Sequence, residues 1–216
     1  MPGKKQSRKS RRSPRFGDSV FINCPFDREY WPIFEAAVFC VVHCGFVPRS
    51  TLEFTDSGEV RLHRLRDLIR SCKYAIHDLS RVELSPASGM PRFNMPFELG
   101  LDLGARYYGA GKLERKRCLV LIAHDYAHQK ALSDISGQDP RNHHNSPDEA
   151  MHAVRDWLQG ASGRVTIAGP ARITARFRAF SEVIPGLATR AGLDRHRLTF
   201  IDYVHLAEEW LRGTGS

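Results

Sequence analysis

Two carboxylates in this chain stand where chemistry at a sugar carbon would need them. Glu98 lies in Asn94-Met95-Pro96-Phe97-Glu98-Leu99-Gly100, just inside a helix that opens at Pro96. Asp78 ends the apolar run Ala75-Ile76-His77-Asp78. In an open α/β sheet, strand ends and helix starts meet at one edge, and ligands bind there. Two acids converging on that edge suit attack on an anomeric centre, or stabilisation of the positive charge that develops on it. Glu98 also reads as a first-turn carboxylate favoured by the helix dipole. Its setting gives the chemical reading equal weight: Phe97 and Leu99 flank it, and Gly100 and Gly104 leave room for close approach of a backbone or ligand. Asp78 reads equally as a cap for the loop that follows.

The other polar residues of that edge fill supporting roles. Asn23 and Asp27 follow the first strand, as substrate contacts or as Asx-turn residues. Phe26, an apolar ring in a tight loop, is placed to stack on a base. Arg49 and Arg81 lie in loops at the same edge with Glu53, as phosphate ligands or as ion-pair residues. Asn94 joins the substrate-binding candidates. His77 and Asp78 are adjacent in a strand, so their side chains project to opposite faces. His143-His144 sits in a polar loop without further ligands at a familiar metal spacing, so no metal is expected. No phosphate-binding Gly-x-x-x-x-Gly-Lys, no Gly-x-Gly-x-x-Gly and no Gly-x-Ser-x-Gly occurs, and no cofactor is expected.

Alternating apolar runs and amphipathic stretches supply the scaffold. Residues 19–23, 46–49, 73–78 and 117–123 read as strands, with Pro48 placing the second at an edge. Residues 30–44, 58–72, 95–107 and 125–135 read as helices, the second from Val60, Leu62, Leu65, Leu68, Ile69 and Cys72. Residues 79–93 and 137–147 read as loops. Strands alternating with helices imply a parallel sheet covered on both faces. Three further helices, 147–158, 171–187 and 199–211, read as an accessory bundle, the first and last capped by Ser146 and Thr199. The expected fold is a flavodoxin-like, doubly wound α/β sheet over 18–145, with a C-terminal helical extension over 146–216.

The net charge of +8 on 216 residues is confined to one end. Residues 1–16 carry seven Lys and Arg and no acid, so everything after Phe16 carries only +1. Residues 1–17 are expected to be a disordered basic tail, either a weak, salt-sensitive contact for nucleic acid or a solubilising extension. No apolar h-region follows the basic residues, and no apolar run approaches the roughly 20 residues that span a bilayer. Five cysteines without a C-x-x-C pair, two of them (Cys40 and Cys44) one helical turn apart in an apolar run, point to buried free thiols and the cytoplasm.

Val20-Phe21-Ile22-Asn23-Cys24-Pro25-Phe26 resembles the first strand and Gly-Pro-Phe loop of the nucleoside 2-deoxyribosyltransferase-like proteins. Phe97-Glu98-Leu99-Gly100 resembles that family's Glu-Leu-Gly helix start, whose Glu is the nucleophile, and Asp78 falls at the family's acid after the third strand. The layout is also similar to bacterial TIR-like domains, which cleave the nicotinamide N-glycosidic bond of NAD with a Glu at a comparable place. The resemblance covers about residues 18–125. Arg92, Asn94 and Met95 replace the transferases' Asp and Gly-Thr pair, and Cys24 replaces the Gly of Gly-Pro-Phe. The resemblance therefore implies an N-glycosidase acting on NAD or another nucleotide, with Glu98 reactive, in a homo-oligomeric bacterial anti-phage effector. The alternative is a module of the same fold that senses a nucleotide or binds a protein without turnover.

Overall fold

The computed structural model describes residues 14–81, 89, 90, 92–125, 132–135 and 137–215. Five strands, β1 (Ser19–Asn23), β2 (Val47–Arg49), β3 (Tyr74–Asp78), β4 (Arg117–Ile122) and β5 (Arg141–Asn142), pair in parallel in the order β2-β1-β3-β4-β5. That is the flavodoxin-like doubly wound order, whose direction reverses between β1 and β3. Pro48 does lie in an edge strand, where its missing N–H costs no ladder bond. The interior strands β1 and β3 are buried along their whole length, as strands covered on both faces must be.

Among the described residues six α-helices cover the sheet: α1 (Trp31–His43), α2 (Arg61–Ser71), α3 (Asn94–Tyr107), α4 (Pro147–Ser162), α5 (Pro170–Arg190) and α6 (Phe200–Gly213). Side-chain alternation sorts them. Val20, Ile22, Tyr74, Ile76, Leu119 and Leu121 join one apolar core with α1, α4, α5 and α6. Phe21 and Ala75 pack with Leu65, Leu68 and Ile69 of α2, while Leu79, Val120 and Ile122 pack with Met95 and Leu99 of α3. The C-terminal helices are thus built into one face of the sheet, with α4 running along α1. Ser146 and Thr199 cap α4 and α6 through the N–H groups of Glu149 and Asp202.

Two loop readings change. Residues 137–147 contain β5, whose two residues pair with Leu121 and Ile122. That strand is too short to leave a period-two signature. Of the helix expected over 125–135, residues 126–131 lie outside the described residues, and Ser133–Ile135 form a 3-10 turn. Most of the loop expected over 79–93 and all of residues 1–13 also lie outside them. All five cysteines are free, and Cys24, Cys40, Cys44 and Cys72 are buried. No helix among the described residues is long and apolar enough to cross a membrane.

Candidate functional site at the carboxyl edge of the sheet

The end of β1 organises the edge. Asn23 turns toward the α2–α3 face, and its side-chain NH2 is 3.0 Å from both His77 Nδ1 and the Met95 carbonyl oxygen. Because that NH2 donates, His77 Nδ1 accepts, and the imidazole proton sits on Nε2. Nε2 faces Asp102 at 3.7 Å. Asp102 in turn holds Lys116 Nζ at 2.8 Å. Lys116 is fully buried and also donates to the carbonyl oxygens of Ile69 (2.9 Å) and Cys72 (2.6 Å) at the end of α2. A buried polar chain thus runs from the edge of the sheet to a helix C-terminus, where a cation is favoured. Burial opposes the charge on Asp102, but His77 and Lys116 hold its carboxyl below the ordinary value.

This chain places Glu98. The Met95 carbonyl anchors the first turn of α3 to the end of β1. Glu98 and Asp102 stand four residues apart, on the same inward face of α3. Glu98 is only 7% exposed. It forms no hydrogen bond or close ion pair with a described residue, and burial pushes its carboxyl up from 4.5 to about 7, opposed only by the charge of Arg61 at the start of α2. Both Asp78 and Glu98 raise the Cys24 thiol, after burial itself and ahead of Asp27, so both acids flank the end of β1. Glu98 therefore stands at the β1/β3 switch point, the place where ligands bind in sheets of this order.

Asp78 reaches the same edge but turns to the other face, as the strand alternation requires. It is fully buried and accepts from Tyr30 Oη (2.5 Å), His143 Nε2 (3.0 Å) and the Ser80 N–H (2.8 Å). Burial opposes its charge, but His143, Ser80 and Tyr30 outweigh it and hold the carboxyl below the ordinary range. Three donors from the chain meet its two oxygens, so the fold itself stabilises the charge on Asp78. Ser80 Oγ is also 2.9 Å from His143 Nε2. The Ser–His–Asp grouping is no nucleophile triad. The Asn145 N–H donates to His143 Nδ1, so Nε2 carries the proton and cannot take one from Ser80.

The remaining sequence candidates divide. Asp27 is held by Arg81 (3.3 Å) and Arg92 (3.7 Å), and these lower its carboxyl against the opposing effect of burial. Arg81 is therefore tied to Asp27 and to Glu29 (3.5 Å). Arg49 is tied to Glu53 at 2.9 Å beside the edge strand β2. Phe26 packs edge-to-face on Phe34, in the core on the α1 side, opposite the face that carries Glu98. Asn94 is the exposed first residue of α3. Asn23 and Glu98 are thus brought together on one face, Asp78 lies across the strand from them, Phe26 lies on the α1 side, and Arg49 ends the edge strand β2, paired with Glu53.

Sequence reading missed Tyr30, His77, Asp102, Lys116 and His143 as members of the buried network, and Arg61 as the cation beside Glu98. An acid four residues after Glu98 was a usable signal for Asp102. Among the described residues no group of three or more His, Cys, Asp or Glu could hold a metal ion. Compared with protein-family models, with curated proteins and with solved structures, the chain matches none.

Proposed function

We propose that this chain cleaves, or transfers at, the N-glycosidic bond of a nucleotide or NAD-like molecule, with Glu98 as the reactive carboxylate. The observation that carries this reading is a buried, unpartnered carboxyl group at the β1/β3 switch point. A desolvated carboxylate gains by meeting positive charge, and an oxocarbenium-like centre supplies it. In the covalent route, Glu98 forms a bond to the anomeric carbon as the carbon–nitrogen bond breaks; a purine or pyrimidine base takes up a proton from solvent, whereas the cationic nicotinamide ring leaves neutral without one. Water then displaces Glu98, releasing the sugar and returning the carboxylate. Asn23, its NH2 committed to His77 and Met95, offers its carbonyl oxygen to a ribose hydroxyl. Arg61 supplies the cation for a phosphate, a role that fits it better than Arg49 or Arg81, which are already paired. Exposed Leu62, Phe97, Tyr107 and Tyr108 on α2 and around α3 support a homo-oligomer. The anti-phage role and cytoplasmic setting rest on the family resemblance and the cysteine pattern.

The saturation of Asp78 favours a second reading. With one free carboxylate where two were expected, the edge also suits a module that binds a nucleotide without turnover. Incubation with NAD, nucleotides and deoxynucleotides, followed by chromatography for free base, separates the two. Base release that disappears in Glu98→Gln supports the glycosidase. Binding without release supports the sensor, and release undiminished in Glu98→Gln overturns the assignment of Glu98.

A further inference from the structure

A large cavity lies away from Glu98. It has a volume of about 910 Å³ and opens between the β1–α1 loop, the start of α1, α5 and the turn before α6. That volume lies within the range of small-molecule clefts. Three rings line it: Phe26, Trp31 and Phe177. Each is backed by another ring. Phe34 supports Phe26 at 5.5 Å and Trp31 at 5.1 Å, and Phe39 supports Phe177 at 5.4 Å. The rings are therefore held in place before any ligand arrives.

The charge of the cleft is one-sided. Its only acid, Glu35, is already neutralised: Arg195 pairs with it at 2.7 Å and Trp31 Nε1 donates to it at 3.0 Å. Arg28 and the His196 imidazole also line the cleft, and neither side chain makes a hydrogen bond or ion pair with a described residue. An unpaired guanidinium beside fixed aromatic faces recognises a flat ring carrying an oxyanion. The ring stacks on the aromatic faces, and the five N–H donors of the guanidinium match a phosphate bidentately.

We propose that this cleft is a binding site for a small molecule bearing a planar aromatic ring and a phosphate, a nucleoside monophosphate being the simplest, and that it is separate from the Glu98 edge. The β1–α1 loop joins the two sites. Asn23, the last residue before that loop, donates to the Met95 carbonyl one turn before Glu98, and Phe26 and Arg28 line the cleft. A ligand in the cleft therefore touches the same short segment that Asn23 ties to the Glu98 edge.

Equilibrium dialysis of the full chain with AMP, GMP, CMP and UMP tests this, with adenosine and inorganic phosphate as half-ligand probes. At least one monophosphate should bind saturably, and more tightly than either half alone. Arg28→Glu should weaken that binding by about tenfold or more, and Phe177→Ala, checked for folding by circular dichroism, should weaken it as well. Absence of saturable binding overturns the proposal, as does adenosine binding as tightly as AMP. Binding that Arg28→Glu leaves undiminished places the nucleotide elsewhere, which overturns the cleft while leaving the glycosidase reading intact.

Discussion

Asp78 and Glu98 are both buried acids at one edge of one sheet, and their surroundings drive them in opposite directions. Asp78 receives three donors and is held ionised. Glu98 receives none from a described residue and is pushed up to about 7. Burial is common to both, so burial alone does not make a carboxyl group reactive. The number of donors around it decides whether the fold has stabilised the charge or left it for a substrate to stabilise.

The sharpest way to break this contrast is through turnover. Glu98→Gln should lower base release at least about a thousandfold, equivalent to about 4 kcal/mol of barrier. Release by the unaltered chain should climb as pH rises through about 7, because the ionised carboxylate is the reactive form. A flat pH profile, or full activity in the variant, would remove Glu98 from the chemistry.

Next in size is the opposite acid. Asp78→Ala leaves Tyr30 Oη, His143 and the Ser80 N–H without their acceptor and should cost roughly 3–5 kcal/mol in urea denaturation. Lys116→Met strands Asp102 and should cost a similar amount, roughly 3–5 kcal/mol, much of it recovered by adding Asp102→Leu. If Asp78→Ala unfolds no more easily than the parent, its three hydrogen bonds do not carry the weight assigned to them.

The pH dependence of stability separates the pair more finely. The lowered carboxyl of Asp78 contributes stability above the unfolded value, lost as pH falls through the acid range. The raised carboxyl of Glu98 does the reverse. The folded chain holds that proton more tightly than the unfolded chain, so its contribution is present at about pH 4.5 and lost as pH rises to about 7. Glu98→Gln should therefore nearly match the parent near pH 4.5 and exceed it by on the order of 3 kcal/mol at pH 8. Equal stability at both pH values would mean that Glu98 is solvated after all.

The smallest effect belongs to the basic end. Removing residues 1–13 should change stability by less than about 0.5 kcal/mol while abolishing salt-sensitive DNA binding in a filter or anisotropy titration. Retention of a steep salt slope would place a basic face on the body of the chain.

The parts of this arrangement that were legible in sequence are those that local pattern determines. The strand runs, the edge position forced by Pro48, the Ser146 and Thr199 caps and the placement of Glu98 inside a helix all follow from spacing and backbone chemistry. The opposite projection of His77 and Asp78 is legible too, and it turns Asp78 toward α1 while Glu98 lies on α3. What local pattern cannot show is pairing across the sheet. Asp78 meets His143 only because β5 lays the residue after Asn142 beside Ile122, and a two-residue strand leaves no periodic trace. Lys116, between Arg115 and Arg117, looks like part of a solvated charged run. Its burial depends on the end of α2 arriving underneath it.

That lysine has a kinetic consequence. Helix ends ordinarily fray, and their amides exchange with solvent by small local openings. The last turn of α2 is latched to the threshold of β4 by one ammonium group, so it cannot unwind without stripping Lys116 of its acceptors or lifting β4 from β3. Deuterium uptake at Ser71 and Cys72 should therefore track the sheet rather than the helix, with the slow exchange of Ile76 and Leu119. A surface helix then reports the integrity of the strand layer beneath it.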